Sequence, residues 1–104
     1  MQVISIIVSS KEGSIVSIDS FGVLEDEYRN KSVDLAEDFY IEKCVELKYG
    51  TEEMRKECVE SGCFTLEDFD DYRDEISDGL EDGFEVVAMH TVSIVWSSID
   101  NIQM

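Results

Sequence analysis

Negative charge is concentrated in the middle of this sequence, between two ends that carry almost none. Residues 25–85 hold 22 of the 25 Asp and Glu residues and 7 of the 8 Lys and Arg residues. The net charge of this middle part is therefore −15, against −17 for the whole chain of 104 residues. Like charges at this density oppose compaction. A folded form must direct these acidic side chains to water and build its core from the apolar residues between them and at both ends.

The apolar content is high enough to exclude a globally disordered chain. Disordered segments combine a high net charge with few hydrophobic residues, whereas 43% of this sequence is apolar and 10% is aromatic. The length is close to that of a typical domain. We therefore expect one acidic domain spanning residues 1–104.

Both ends of the chain predict β-strands. Residues 3–8 read VISIIV, a run of mostly β-branched residues that is too short for a helix. A polar turn separates it from a second β-rich run that ends at Val23, and this pattern predicts an antiparallel hairpin. Residues 85–96 read EVVAMHTVSIVW and predict one long strand, apolar on both faces, with His90 in its middle.

Two helices are predicted directly after the hairpin and its polar connection. The first begins at an N-cap, Ser32, and ends at Gly50. Its core-facing stripe comprises Leu35, Ala36, Phe39, Tyr40, Cys44 and Leu47. The second spans Thr51–Ser61, where Thr51 caps the helix and two glutamates favour its positive end.

A third helix is predicted in the most acidic stretch, residues 65–85, which holds ten carboxylates and one base, Arg73. Thr65 and Asp68 have the spacing of a capping box, and Gly79 ends the helix. A narrow seam recurs at helical spacing, at Leu66, Phe69, Tyr72 or its neighbour Arg73, Ile76 and Leu80. We expect a helix that docks by this narrow seam and displays its acids to water. The order ββ-ααα-β predicts a small α+β fold, in which an antiparallel sheet made of the hairpin and the C-terminal strand packs with two to three helices.

The titratable residues form no pattern typical of an enzyme or a metal site. Residues 74–85 match part of an EF-hand calcium loop, but Ile76 stands where an oxygen ligand is needed, and a strand replaces the second helix. The three cysteines lack the second close pair of a structural zinc site, and their odd number favours free thiols in the cytoplasm. His90 is the only histidine, and no phosphate-binding glycine loop or nucleophile elbow occurs. We expect no enzyme activity, cofactor or metal.

The acidic surface favours a basic protein as the partner, because nucleic acid and anionic membranes would repel it. No segment resembles a targeting signal or a membrane span, which favours the cytoplasm, the host cytoplasm if a phage encodes the protein. Carboxylates three or four residues apart on a helix lie ~5–6 Å from each other. This is similar to the ~7 Å between successive phosphates of a nucleic-acid strand, whose axial rise is ~3.4 Å.

The sequence thus favours an inhibitor that mimics nucleic acid and blocks the basic site of a nuclease or another DNA- or RNA-handling protein. Small anti-restriction and anti-CRISPR proteins of phages and mobile elements have this character. The candidate contact residues are Glu67, Asp68, Asp70, Asp71, Tyr72, Asp74, Glu75, Asp78, Glu81 and Asp82.

Two alternatives remain open at this point. One is an immunity protein or antitoxin that neutralises a basic nuclease toxin through a local interface with aromatic hot spots, for which Tyr28, Tyr49 and Tyr72 are candidates. The other is an acidic adaptor subunit. A homodimer formed through a sheet edge, at the first or last strand, is compatible with each of these functions.

Overall fold

A computed structural model of the protein describes residues 2–23 and 29–98, which form one antiparallel sheet and three helices. The elements in chain order are β1 (Gln2–Ser10), β2 (Ile15–Val23), α1 (Arg29–Tyr49), α2 (Glu52–Glu60), α3 (Leu66–Asp78), a 3₁₀ turn (Leu80–Asp82), β3 (Phe84–Val87) and β4 (His90–Ser98). The structure confirms the α+β fold and the sequence of a hairpin, three helices and a return to the sheet.

The predicted N-terminal hairpin is confirmed. The turn between β1 and β2 is closed by a hydrogen bond from the Ser10 amide to the Ser14 carbonyl, at 2.8 Å. Gly13 adopts a φ of 88° in this turn, a left-handed conformation that residues with a Cβ rarely adopt. The register shifts between Val8 and Ser9, so that a bulge interrupts the pairing near the turn.

The prediction of a single C-terminal strand over residues 85–96 is wrong. Ala88 and Met89 have φ values of 47° and 70°, and they form a two-residue turn that divides the segment into β3 and β4. Positive φ at both central residues matches the right-handed twist of the flanking strands. His90 consequently begins β4 instead of lying in mid-strand. The strand order is β2-β1-β4-β3, with β1 and β4 in the centre. The expectation of a free sheet edge at the first or last strand is therefore wrong, because the edge strands are β2 and β3.

The hydrophobic core lies between one face of the sheet and α1. Helix α1 contacts all four strands. The fully or almost fully buried side chains of these elements are Ile4, Ile6, Val8, Val23, Ala36, Tyr40, Cys44, Val45, Val87 and Val92. The predicted stripe of α1 is confirmed at Ala36, Tyr40 and Cys44, but Leu35 is 54% exposed and Val45 is buried instead. The buried face of α1 is therefore rotated about the helix axis, away from Leu35 and toward Val45.

The helix boundaries follow their local signals except at the start of α1. Helix α1 begins at Arg29, so Ser32 lies inside it and the prediction of Ser32 as the N-cap is wrong; the helix ends just before Gly50 as predicted, whose φ is 96°. Thr51 caps α2 by accepting a hydrogen bond from the Met54 amide. No residue of α2 is buried, so this helix lies at the periphery of the fold. None of the helices in residues 29–98 is long and apolar enough to cross a membrane.

Candidate protein-binding surface

The start of α3 is fixed by the predicted capping box. The Thr65 hydroxyl accepts a hydrogen bond from the Asp68 amide at 3.2 Å, and the Asp68 carboxylate accepts one from the Thr65 amide at 2.8 Å. These two bonds satisfy amides that a helix otherwise leaves unpaired at its N-terminus. Glu67 and Asp68 also place negative charge at the positive end of the helix dipole. The most acidic segment of the chain is thus a helix with a defined beginning.

Helix α3 packs on the rest of the protein by a narrow apolar seam. Phe69, Tyr72 and Ile76 are its buried residues. The ring of Tyr49, at the end of α1, makes edge contacts with Phe69 and Tyr72, with centroids 5.1 and 5.6 Å apart. Such pairs stabilise by about 0.5–1.5 kcal/mol beyond the buried area. The predicted seam is confirmed at these three residues but not at Leu66, which is 69% exposed.

The opposite side of α3 carries a row of carboxylates that we call the acidic ridge. It consists of Glu67, Asp71, Asp74 and Asp78, all exposed. Their spacings of four, three and four residues place them along one line of the helix surface. At a rise of 1.5 Å per residue the ridge is about 16 Å long. Within the part of the chain that the structure describes, no lysine or arginine forms an ion pair with these four.

The remaining candidate acids lie beside the ridge. Asp68 is held in the capping box, and Asp70 accepts a hydrogen bond from Arg73 Nη1 at 2.8 Å. Glu75 is exposed on the flank of α3, and Glu81 and Asp82 are exposed on the 3₁₀ turn that follows Gly79. All nine candidate carboxylates are therefore on the surface, but two of them already have partners inside the protein.

The aromatic candidates are not exposed in the same way. Tyr72 is only 8% exposed, and its ring lies 4.0 Å from Lys48 Nζ. Burial raises the pKa of its hydroxyl well above the ordinary value. Tyr72 therefore belongs to the core seam, and we no longer count it among the contact residues. Tyr49 is half-buried in the same aromatic cluster, and Tyr28 lies outside the described residues.

Arg73 links α3 to α1, a contact that the sequence did not predict. Its Nε donates to Glu42 Oε1 at 2.6 Å, and Arg55 Nη1 lies 3.7 Å from the other oxygen of the same carboxylate. The hydrogen bond to Glu42 raises the pKa of Arg73 above its ordinary value. Because Glu42 is half exposed, solvent screens this pair and its contribution to stability is small. Its main effect is to fix the orientation of α3 and hence of the ridge.

Other acids extend the charged surface beyond α3. The exposed carboxylates of the two other helices are Asp34, Asp38, Glu42, Glu46, Glu52, Glu53, Glu57 and Glu60. We call the three helices with these side chains the acidic layer. Helix α1 covers one side of the sheet and the other two helices pack on α1, so the charge segregation in the sequence becomes a separation of layers in space.

The three cysteines and His90 lie in different elements: Cys44 in α1, Cys58 in α2, Cys63 between α2 and α3, and His90 in β4. Cys44 is fully buried, and burial raises the pKa of its thiol to about 12. Cys58 is half-buried and Cys63 is exposed. His90 Nδ1 lies 3.1 Å from the Ala88 carbonyl oxygen in the hairpin turn. Residues 74–78, the first part of the EF-hand-like stretch, are helical.

No group of three or more His, Cys, Asp or Glu side chains with the geometry of a metal site occurs among the described residues. Comparisons with models of known protein families, with curated protein sequences and with solved structures give no match for this chain.

Proposed function

We propose that the protein is an inhibitor that occupies the basic nucleic-acid site of a nuclease or another DNA- or RNA-handling protein. The observation that carries this proposal is the acidic ridge, a row of four exposed carboxylates on one line of α3. We further propose that the protein acts in the cytoplasm, the host cytoplasm if a phage or mobile element encodes it, where such partners work.

The spacing of the ridge resembles that of a phosphate backbone. Neighbouring ridge carboxylates stand on Cβ atoms ~5–6 Å apart. A groove that binds one nucleic-acid strand meets phosphates with an axial rise of ~3.4 Å and a somewhat longer direct separation. Arginine and lysine side chains that bind phosphate oxygens also bind carboxylates, and arginine does so through two parallel hydrogen bonds. A basic groove can therefore accept the ridge in place of phosphates.

The fold holds the ridge in place before any partner arrives. The capping box fixes the first turn of α3, the seam buries Phe69, Tyr72 and Ile76, and Arg73 fixes the orientation of the helix. A ligand that is ordered in advance loses less conformational entropy on binding. The side chains of the ridge retain rotamer freedom, but the backbone that carries them is anchored by the cap, the seam and the Arg73 contact.

Electrostatics favours fast association with a basic surface. The net charge of −17 creates a field that attracts a cationic groove over several ångströms and raises the association rate at low salt. The same field repels nucleic acid, so an inhibitor of this kind does not bind the substrate that it replaces. Binding of this type weakens as salt is added.

An immunity protein or antitoxin is the second candidate, and it is favoured by an apolar patch beside α3. Leu66 is exposed at the first turn of α3, and Phe64 is 38% exposed just before it. Leu66 and Val59 line an open cavity of about 470 Å³ between α2 and α3, in which an apolar side chain of a partner fits. Such a local contact would give one dominant hot spot instead of many small charge contributions.

Partner capture with matched variants tests the proposal. The tagged full chain captures proteins from a bacterial lysate, and bound protein is eluted with salt or with duplex DNA. The ridge variant carries Glu67→Gln, Asp71→Asn, Asp74→Asn and Asp78→Asn. The control variant carries four exposed neutralisations in α1 and α2: Glu46→Gln, Glu53→Gln, Glu57→Gln and Glu60→Gln. Both variants have the same net charge, so a difference between them reports position and not charge alone.

We expect the wild type and the control to retain a nucleic-acid-handling protein that DNA displaces, and the ridge variant to lose it. Equal loss in both variants would show that total charge acts without the ridge. A partner that DNA does not displace, but that Leu66→Gln releases, would favour the immunity protein. Retention of nothing at low salt would mean that the acids only solvate the surface.

A further inference from the structure

Among the strand residues that the structure describes, the face of the sheet that the helices leave uncovered carries no charged side chain. The buried residues of β1, Ile4, Ile6 and Val8, all point toward the helices. The alternate residues point the other way, and the strand register aligns them in rows such as Ile18, Ile7, Ser93 and Phe84. We call this surface the outer face. Its fourteen positions are occupied only by Val, Ile, Phe, Ser, Thr and Gly.

Seven of the fourteen positions of the outer face are Val, Ile or Phe, and the other seven are Ser, Thr or Gly. Its large exposed residues are Ile15, Ile18, Phe84, Val86 and Val95, and all but Val95 are more than half exposed. The solvated face of an antiparallel sheet is normally polar. In a chain of which 32% is charged, a face without any charge marks a surface that is covered in the functional state.

We propose that the outer face is a homodimer interface, in which the sheets of two copies pack against each other. The absence of charge on the outer face favours a second copy as the occupant. The outer face offers no carboxylate to a basic partner, whereas the outer face of another copy is equally uncharged, carries the same apolar residues and has the same extent. A twofold axis brings this same patch of both subunits together, as in most homodimers. Two sheets stacked in this way form a sandwich with a spacing of ~10 Å.

The extent of the outer face is sufficient for a reversible dimer. Three strands of nine residues and one of four residues, at ~3.3 Å per residue and ~4.8 Å between strands, cover about 500 Å² as a flat area. Two copies then bury about 1,000 Å² or more, which is near the lower limit for a specific interface. We expect a dissociation constant on the order of micromolar.

The dimer also leaves the proposed function intact. Each acidic layer lies on the far side of its own sheet, so the sheets separate the two layers by more than the Debye length of ~8 Å at physiological salt. Repulsion between copies is therefore weak and falls further as salt is added. Self-association strengthens with salt, whereas binding of a basic partner to the ridge weakens. The proposed dimer can therefore be disproved without affecting the proposed inhibitor function, and the inhibitor function can be disproved without affecting the dimer.

Sedimentation equilibrium of the untagged full chain tests the dimer. We expect the mass to rise with concentration from 11.9 kDa toward twice that value, and the dimer to be tighter at moderate salt than at low salt. A mass that stays at the monomer value at every concentration and salt level would overturn the proposal. This first measurement needs no variant, so a failure of a variant to fold does not affect it.

A pair of substitutions distinguishes the outer face from the sheet edge. Ile18→Thr with Val95→Thr keeps both residues β-branched, and Val95 lies in the central strand β4. Each threonine removes apolar surface that the dimer buries, so we expect the dissociation constant to rise by more than about tenfold. Leu35→Gln with Met54→Gln removes two exposed apolar residues from the acidic layer and is the control. Equal dimerisation of the Ile18/Val95 variant and wild type would exclude the outer face and favour pairing through the edge of β2.

Discussion

The two sides of this molecule follow opposite rules of composition. The acidic layer displays carboxylates on all three helices and buries the core-facing side of α1 and a narrow seam of α3, whereas the outer face displays apolar and hydroxyl side chains and, at the strand positions that the structure describes, no charge. If the charge served only solubility, we would expect charged side chains on both sides of the sheet. This difference is what the two proposals require: a cationic partner on the helical side and a second copy of the sheet on the other.

The largest contrast is expected between the two faces of the same sheet. Ile6 is fully buried under the helices, and Ile6→Ala should lower the free energy of unfolding by about 3 kcal/mol, because it leaves a cavity. Ile18→Ala on the outer face should cost less than about 1 kcal/mol in the monomer. Urea denaturation at low protein concentration measures both values.

Repeating this measurement at high concentration sharpens the contrast. In a dimer, Ile18 is buried by the second copy, so its substitution should become more costly as concentration rises, while the effect of Ile6→Ala stays the same. Equal effects of the two substitutions at low concentration would show that the outer face is already covered within one chain. The distinction between the two faces would then be wrong.

Sequence patterns predicted where most helices and strands lie better than they predicted which of their side chains are exposed. Thr51, Thr65 and Gly50 act locally, through hydrogen bonds and backbone conformation, and the helix ends that they predicted are observed. The turn at Ala88 and Met89 was missed because neither residue is of the type that normally adopts positive φ. Because no turn was predicted at these two residues, the pattern of residues 85–96 predicted a single strand.

The candidate surface depended on contacts that no local pattern contains. Arg73 and Glu42 are 31 residues apart in the sequence, so their hydrogen bond follows only from the packing of α3 on α1. Tyr72 lies one position from Arg73, and the sequence could not decide which of the two faces the core; the structure buries the tyrosine. The outer face could not be predicted either, because the alternation of side chains along a strand shows which residues share a face but not which face the helices cover.

Within the acidic layer, the second prediction compares ridge carboxylates with paired ones. Asp71→Asn with Asp74→Asn removes two unpaired ridge charges, and it should weaken binding of a captured partner by about tenfold and reduce its salt dependence. Asp70→Asn with Glu42→Gln removes two carboxylates that already pair with Arg73, and it should weaken binding less. Titration of the partner at two salt concentrations measures both effects. Equal losses would mean that the position of the ridge is irrelevant.

The third prediction compares the caps of α2 and α3. Thr65→Ala removes an acceptor of the capping box, and it should lower the free energy of unfolding by about 1 kcal/mol, because α3 is anchored in the core. Thr51→Ala removes a similar bond from α2, which has no buried residue. Its loss should appear as local fraying, seen by amide hydrogen exchange, with a smaller effect on global unfolding. A larger global effect of Thr51→Ala would show that α2 is part of the cooperative core.

The smallest expected effect concerns self-repulsion in the acidic layer. Added monovalent salt should raise the melting temperature of the wild type by a few degrees, because a stability gain of about 0.5–1 kcal/mol shifts a domain of this size by that amount. The gain should be smaller in the ridge variant, which has four fewer charges on α3, and should not depend on the cation at equal ionic strength. A melting temperature that does not change with salt would mean that the carboxylates are too far apart to repel one another strongly. Calcium that stabilises more than sodium at equal ionic strength would instead indicate a bound ion, and the acids would then serve a site within this chain as well as a surface for another.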